Sequence, residues 1–122
     1  MIDELRERIV AYLSQNQVGV ISTSGQLGAW SVTAQYQNRG LELECRVPRW
    51  SDAIYHLEQD PHALVTILDD TSDSSRWMQY RGIACVDSSI ADDRFATIHI
   101  TPERVDLIDE ARGWGARETL EM

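Results

Sequence analysis

The sequence predicts a mainly β fold: a small antiparallel β-barrel of six or seven short strands, with an N-terminal helix and a short helix after strand 3 plugging its ends. Three observations lead there. Residues 30–47 alternate apolar and polar on both sides of a glycine-containing turn, the pattern of a β-hairpin with one face buried. Only two stretches, 2–16 and 52–59, carry helical spacing, too few and too scattered for alternating strand–helix units. The remaining apolar segments are short and separated by polar loops. A chain of 122 residues holds one hydrophobic core and not two, so a single domain over 1–122 is expected.

Each element follows from local pattern. Ile2, Leu5, Ile9, Tyr12 and Leu13 recur at three- and four-residue steps, with Glu4, Glu7 and Arg8 mostly opposite, as in a helix over 2–16. A change of period after Asn16-Gln17 opens a β-branched strand at Val18, Val20 and Ile21, and residues 24–28 read as a flexible turn. Trp30, Val32, Ala34 and Tyr36 then alternate with Ser31, Thr33 and Gln35, which places Trp30 in the core. Beyond the turn at 37–40, Leu41, Leu43, Cys45 and Val47 alternate with Glu42, Glu44 and Arg46. Pro48 stops that strand, Ser51 caps a helix over 52–59 with Ile54 and Leu57 inward, and Asp60-Pro61 ends it. Residues 63–68 are a nearly continuous apolar run, as in a strand buried on both faces. Loops are expected at 69–75 and 87–93. Between them lies a strand over 77–86, in which Gly82 permits a bulge or close backbone approach. Strands at 95–100 and 105–108 are broken at Thr101-Pro102, and 110–122 reads as a tail.

The charge pattern excludes several classes. Twenty acidic against eleven basic side chains give a net charge of −9, which argues against a nucleic-acid surface. No segment is apolar enough to span a membrane, and the charged start MIDELRERIV has no apolar export region; a cytoplasmic location is the expectation. Cys45 and Cys85 fit neither a metal-ligand spacing nor a disulfide framework, and Cys45 reads as a buried, inert thiol. Every basic residue is an arginine. An anion site must therefore be built from guanidinium groups, backbone N–H groups or a helix N-terminus.

Catalytic and metal motifs are weak. His56, His62 and His99 read as surface or edge imidazoles, and Ser22, Ser24 and Ser31 have no nucleophile elbow around them. The acidic runs at 69–73 and 92–93 lack the glycine and terminal glutamate of a calcium loop. The constellation that carries most chemistry is Arg46 and Arg49, bracketing a strand end, with Ser51 opening the next helix. Forked donors beside a positive dipole end make an anion pocket, although Asp52 on the first turn opposes one. The alternative is that Ser51 and Asp52 only cap the helix while both arginines are solvated. Trp50, Trp77 and Trp114 stand at element boundaries, positions that suit a flat ligand or a subunit interface.

These segments resemble the pyridoxamine 5′-phosphate oxidase-like, FMN-binding split-barrel proteins. The resemblance rests on LELECRVPRWSDAIYHLEQDPHALVTILDD, on RWMQYRGIACV and, more loosely, on GAWSVTAQYQNRG and the N-terminal helix. It implies an antiparallel split barrel that works as a homodimer with FMN at the subunit interface. Arg46, Val47, Arg49 and Ser51 would hold the phosphate, the backbone of Val32, Thr33 and Ala34 would meet the ring edge, and Trp77 and Trp114 would approach from the partner subunit. Where the family commonly has an Arg-Lys pair after the serine, this chain has Asp52-Ala53. The implied function is an oxidoreductase of unnamed substrate. The alternative is a non-enzymatic binding module on the same barrel, for another flat anion such as a deazaflavin or haem, or for a protein partner.

Overall fold

The computed structural model describes residues 2–25, 28–68, 76–87 and 94–122. Helix α1 (Ile2–Gln15) buries Leu5, Ile9, Tyr12 and Leu13 on one stripe. It stops at Asn16, whose side-chain amide donates to Tyr12 O at 2.8 Å and so satisfies a terminal carbonyl. Two tyrosine hydroxyls tie the helix to the sheet: Tyr12 donates to Ile67 O at 2.9 Å, and Tyr36 donates to Leu13 O at 2.7 Å.

The strands are β1 (Val18–Gly25), β2 (Gly28–Arg39), β3 (Glu42–Pro48), β4 (His62–Leu68), β5 (Arg76–Asp87), β6 (Phe95–Asp109) and β7 (Arg117–Glu121). Helix α2 (Asp52–Gln59) follows β3, and a 3-10 turn at Glu110–Arg112 precedes β7. All pairings are antiparallel, in the order β3-β2-β1-β4-β5-β6-β7, and an added β3–β6 ladder closes the first six strands into a barrel. The two-residue turn at Gly40-Leu41 uses the positive φ of Gly40, 60°, which a glycine adopts without strain.

The predicted barrel and both helices are present, and the differences are instructive. No break occurs at Thr101-Pro102: β6 is one strand of 15 residues. Along one edge its first half pairs with β3 and its second half with β7, while β5 lies along the other edge. Pro102, which has no N–H, falls between the β3 and β7 ladders and opposite Gly82, where the β5–β6 register shifts. Sequence pattern took the proline as a strand end because it cannot show that the strand changes partner there. Likewise the tail holds β7, whose short RETLE pattern has one fully buried position, Leu120. Strand β4 is not buried on both faces: Ala63, Val65 and Ile67 point inward, while Leu64 and Thr66 are half-exposed on the outside of the barrel. Trp30 is not a core residue but is 46% exposed, since the β1–β2 hairpin runs beyond the barrel wall there. Of the expected loops and turn, residues 69–75, 88–93 and 26–27 lie outside the described residues, whereas Ser24 and Gly25 belong to β1, Gly28 to β2 and Asp87 to β5.

The lumen is filled by side chains, among them Leu43, Cys45, Val47, Val65, Met78, Tyr80, Ile98 and Ile100. Burial pushes the Cys45 thiol up to about 12, so it is protonated and inert at neutral pH, as the sequence suggests. The Tyr80 hydroxyl donates to Leu41 O at 2.6 Å and lies 3.2 Å from Ile100 O, pinning the β2–β3 turn to β6. Tyr80→Phe should therefore lower stability by about 1–3 kcal/mol, because a buried carbonyl loses its donor. A denaturant titration should show a lower midpoint at unchanged slope. An unchanged midpoint would mean that water replaces the hydroxyl.

Candidate cofactor site

The β3–α2 junction gathers most of the residues that the sequence singles out. Strand β3 pairs with β2 through Gln35↔Arg46, and β2 pairs with β1 through Ala34↔Gly19 and Thr33↔Val20. Residues 32–34 thus lie beside the end of β3, on the same patch of barrel wall. Their side chains divide by the strand period. Ala34 and Val47 point into the core and can offer only backbone to a ligand, whereas Thr33 and Arg46 face outward and Val32 is half-buried. The Arg46 guanidinium stacks over the Phe95 ring at 4.8 Å, in an arrangement that orients its fork.

The turn after Pro48 is closed by Ser51 N–H donating to Pro48 O at 2.9 Å. Ser51 then caps α2, its Oγ accepting from Ala53 N at 3.2 Å. That bond uses an oxygen lone pair and leaves the hydroxyl proton available to a phosphate oxygen. Asp52 is exposed on the first turn and brings negative charge to the same end.

The structure adds residues that sequence reasoning missed. Arg49 N donates to Arg94 O at 3.0 Å, and Pro48 pairs with Phe95. A third arginine is therefore brought to the junction from the start of the adjacent strand β6. The only sequence signal for it is an arginine at the start of a strand. His56, by its sequence setting a surface or edge imidazole, is instead 5% exposed, on the α2 face shared with Ala53 and Leu57. Its Nδ1 shares a hydrogen bond with Thr23 Oγ1 at 3.0 Å, and its ring lies 6.0 Å from that of Trp30. Space for it comes from Gly25, where a Cβ would stand 2.7 Å from His56 Cδ2. His62 and His99 are exposed, each beside a carboxylate: His62 Nδ1 is 2.7 Å from Asp60, and His99 Nε2 is 3.4 Å from Asp87.

Trp77 and Trp114 are not part of this patch within one protomer. Trp77 pairs with Leu68 and Ile108, at the opposite end of β6 from Arg46, which pairs with Thr97. Trp114 is 97% exposed between Gly113 and Gly115, in the turn before β7. Trp50, at 82% exposure, does stand at the junction.

Beside Arg46 a surface groove of about 320 Å³ is lined by Gln17, Gln35, Gln37, Glu44 and Tyr36. Its donors and acceptors are mostly uncharged amides, and Tyr36 has its hydroxyl turned inward to Leu13. The junction thus offers guanidinium donors, a capped helix start and a polar wall. Among the described residues no group of three His, Cys, Asp or Glu side chains is placed to hold a metal, and no helix is long and apolar enough to cross a membrane.

No family model and no curated protein matches the sequence. Solved structures do match the fold. General stress protein 26 from Bacillus anthracis shares 18% identity at a TM-score of 0.76, over 98% of this chain and 99% of that one. A Clostridium acetobutylicum protein related to general stress protein 26, of the pyridoxinephosphate oxidase family, shares 10% identity at a TM-score of 0.81, over 98% and 96%. A heme binding protein from Mycobacterium smegmatis shares 18% identity at a TM-score of 0.74, over 95% of this chain but 56% of that one. At these identities the likeness establishes the shared split-barrel fold, the one that the sequence resemblance implies.

Proposed function

We propose that the chain binds FMN as a homodimer and serves as a flavoprotein of oxidoreductase type. The phosphate would lie at the β3–α2 junction and the ring along β2. The observation that carries this reading is that Arg46, Arg49 and Arg94 stand on adjacent backbone at the β3–α2 junction, in a chain of net charge −9. Guanidinium forks and the Ser51 hydroxyl suit a dianionic ester, and the backbone of residues 32–34 offers amide groups to a flat heterocycle. The groove beside Arg46 lies on the open outer wall, so a second subunit is needed to shield a ring from water. Exposed Trp114 and half-buried Trp77, at the other end of the barrel, are the aromatic groups available to do so from the partner. FMN, when bound, supplies the electron-carrying chemistry. The residues around it supply binding and orientation, and none is placed as an acid or base for a named substrate.

The test is absorbance of the purified protein together with a calorimetric FMN titration and a mass measurement. Blue-absorbing, saturable binding by a dimer supports the reading, and a monomer with no heat of binding overturns it. Asp52→Asn should strengthen FMN binding about two- to fivefold, since it removes an exposed carboxylate from the helix start. Equal or weaker binding by that variant places the phosphate elsewhere.

A second reading, a non-enzymatic module for another flat anion such as haem, draws support from the heme-binding neighbour. A parallel haem titration separates the two, because a haem band that forms while FMN gives none favours the module.

A further inference from the structure

The register shift between β5 and β6 builds a second polar site on the outer wall of the barrel. Arg81 pairs with Arg104 and Gly82 with Pro102, so Glu103 is the extra residue of a β-bulge in β6. Glu103 and Arg104 are therefore consecutive residues that both reach the surface, where a regular strand would turn one of them inward. Met122 N–H donates to Glu103 O at 3.1 Å and fixes the bulged backbone. Arg81 and Glu103 line a cavity of about 350 Å³ with Ser22, Ser24, Ala29 and Leu64. Ser22, Leu64 and Arg81 share one rung across β1, β4 and β5, so their side chains emerge on the same face. The charges on this wall are unevenly served. Arg104 lies 3.3 Å from Asp106 and 3.7 Å from Glu121. His62 is held by Asp60, which is the main cause of its raised basicity, and Glu103 adds to it only through space. Arg81 and the Glu103 carboxylate make no hydrogen bond or ion pair among the described residues, with each other or with a neighbour. Arg81 instead faces Arg104 directly across the ladder, a like-charge pairing that costs stability.

We propose that this cavity binds a small zwitterion, an α-amino acid with an aliphatic side chain. Arg81 and the hydroxyls of Ser22 and Ser24 hold its carboxylate, Glu103 holds its ammonium group, and Leu64 and Ala29 cover its side chain. A carboxylate at Arg81 relieves the repulsion from Arg104. A simple anion would be repelled by Glu103 and a simple cation by Arg81, so the ligand that fits carries both charges. The cavity is at the small end of ligand pockets, which matches a molecule of few heavy atoms. Bulges commonly re-aim a side chain beside a ligand, as Glu103 is re-aimed here. The proposal is independent of the flavin reading, because none of these residues belongs to the β3–α2 junction.

The test is titration of the isotope-labelled full chain with leucine, N-acetylleucine and leucinamide, followed by amide chemical shifts. N-acetylleucine lacks the ammonium charge, and leucinamide lacks the carboxylate. Leucine should give saturable shifts at Ser22, Leu64, Arg81 and Gly82. Each analogue should bind about tenfold or more weakly, through loss of a charge-assisted contact. Arg81→Gln and Glu103→Gln should each weaken leucine binding by a similar factor. Glu103→Gln should at the same time bind N-acetylleucine more tightly than the native chain does, because the repulsion is gone. A merely structural role for Glu103 would not produce that gain. Absence of saturable shifts with leucine overturns the proposal, as does leucine binding that Arg81→Gln leaves unchanged. N-acetylleucine binding as tightly as leucine overturns it too, by marking a simple anion site. If Glu103→Gln collapses the bulge, seen as shifts throughout β5 and β6 without ligand, the Arg81→Gln result and the two analogues decide.

Discussion

Gly82→Ala is expected to lower the thermal midpoint by roughly 10 °C or more. A Cβ at Gly82 would stand 2.4 Å from Thr101 O and 2.7 Å from Ile100 Cγ2. The nearer obstacle is main chain and cannot swing aside as a side-chain end does. It also sits where the β5–β6 register shifts and where β6 passes from β3 to β7. Relief therefore requires opening the ladder where the barrel closes. Overpacking typically costs about 1–3 kcal/mol, and a backbone obstacle puts this case at the upper end. For a chain of this size each kcal/mol corresponds to about 4 °C, which gives the stated shift. A thermal scan monitored by circular dichroism measures it. A shift below about 2 °C would mean that the strands separate readily at Gly82 and that the close approach does little to hold the barrel.

Arg46→Ala/Arg49→Ala should abolish FMN retention while leaving the barrel folded. Each arginine contributes a charge-assisted contact of about 1.5–3 kcal/mol to a phosphate, so losing both weakens binding by about 10²- to 10⁴-fold. The structural consequence is small, because both residues are exposed and the stacking of Arg46 on Phe95 is worth about 0.5–1 kcal/mol. Titration of wild-type and double-variant protein with FMN, alongside their unfolding midpoints, separates the two effects. An undiminished affinity in a folded variant would remove the phosphate from the junction. A parallel fall in midpoint and affinity would assign the arginines to structure instead.

The legible parts of this protein are those encoded by short-range periodicity. The α1 stripe of Leu5, Ile9, Tyr12 and Leu13, the inward row Leu41, Leu43, Cys45 and Val47, and the Ser51 cap all appear in the structure where the pattern puts them. Gly82 is likewise at a register shift. Arg46, Arg49 and Ser51 were visible as a group because they are near in sequence as well as in space. Trp30 misled because a strand's alternation says which side a residue faces, and not whether anything covers that side. His56 misled for the converse reason: its cover comes from Thr23 and Gly25, more than thirty residues earlier.

Backbone period, capping residues and turn glycines are properties of neighbours along the chain, so the elements, their inward faces and the arginine-only cation set could be read before any coordinates. Closure is different in kind. The continuity of β6 through Pro102, the recruitment of β7, the arrival of Arg94 beside Arg49 and the grip of Arg8 on Glu118 each join residues far apart in sequence. No local pattern records which distant strand will lie alongside, because that choice is made by the whole barrel satisfying its hydrogen bonds and filling its core at once.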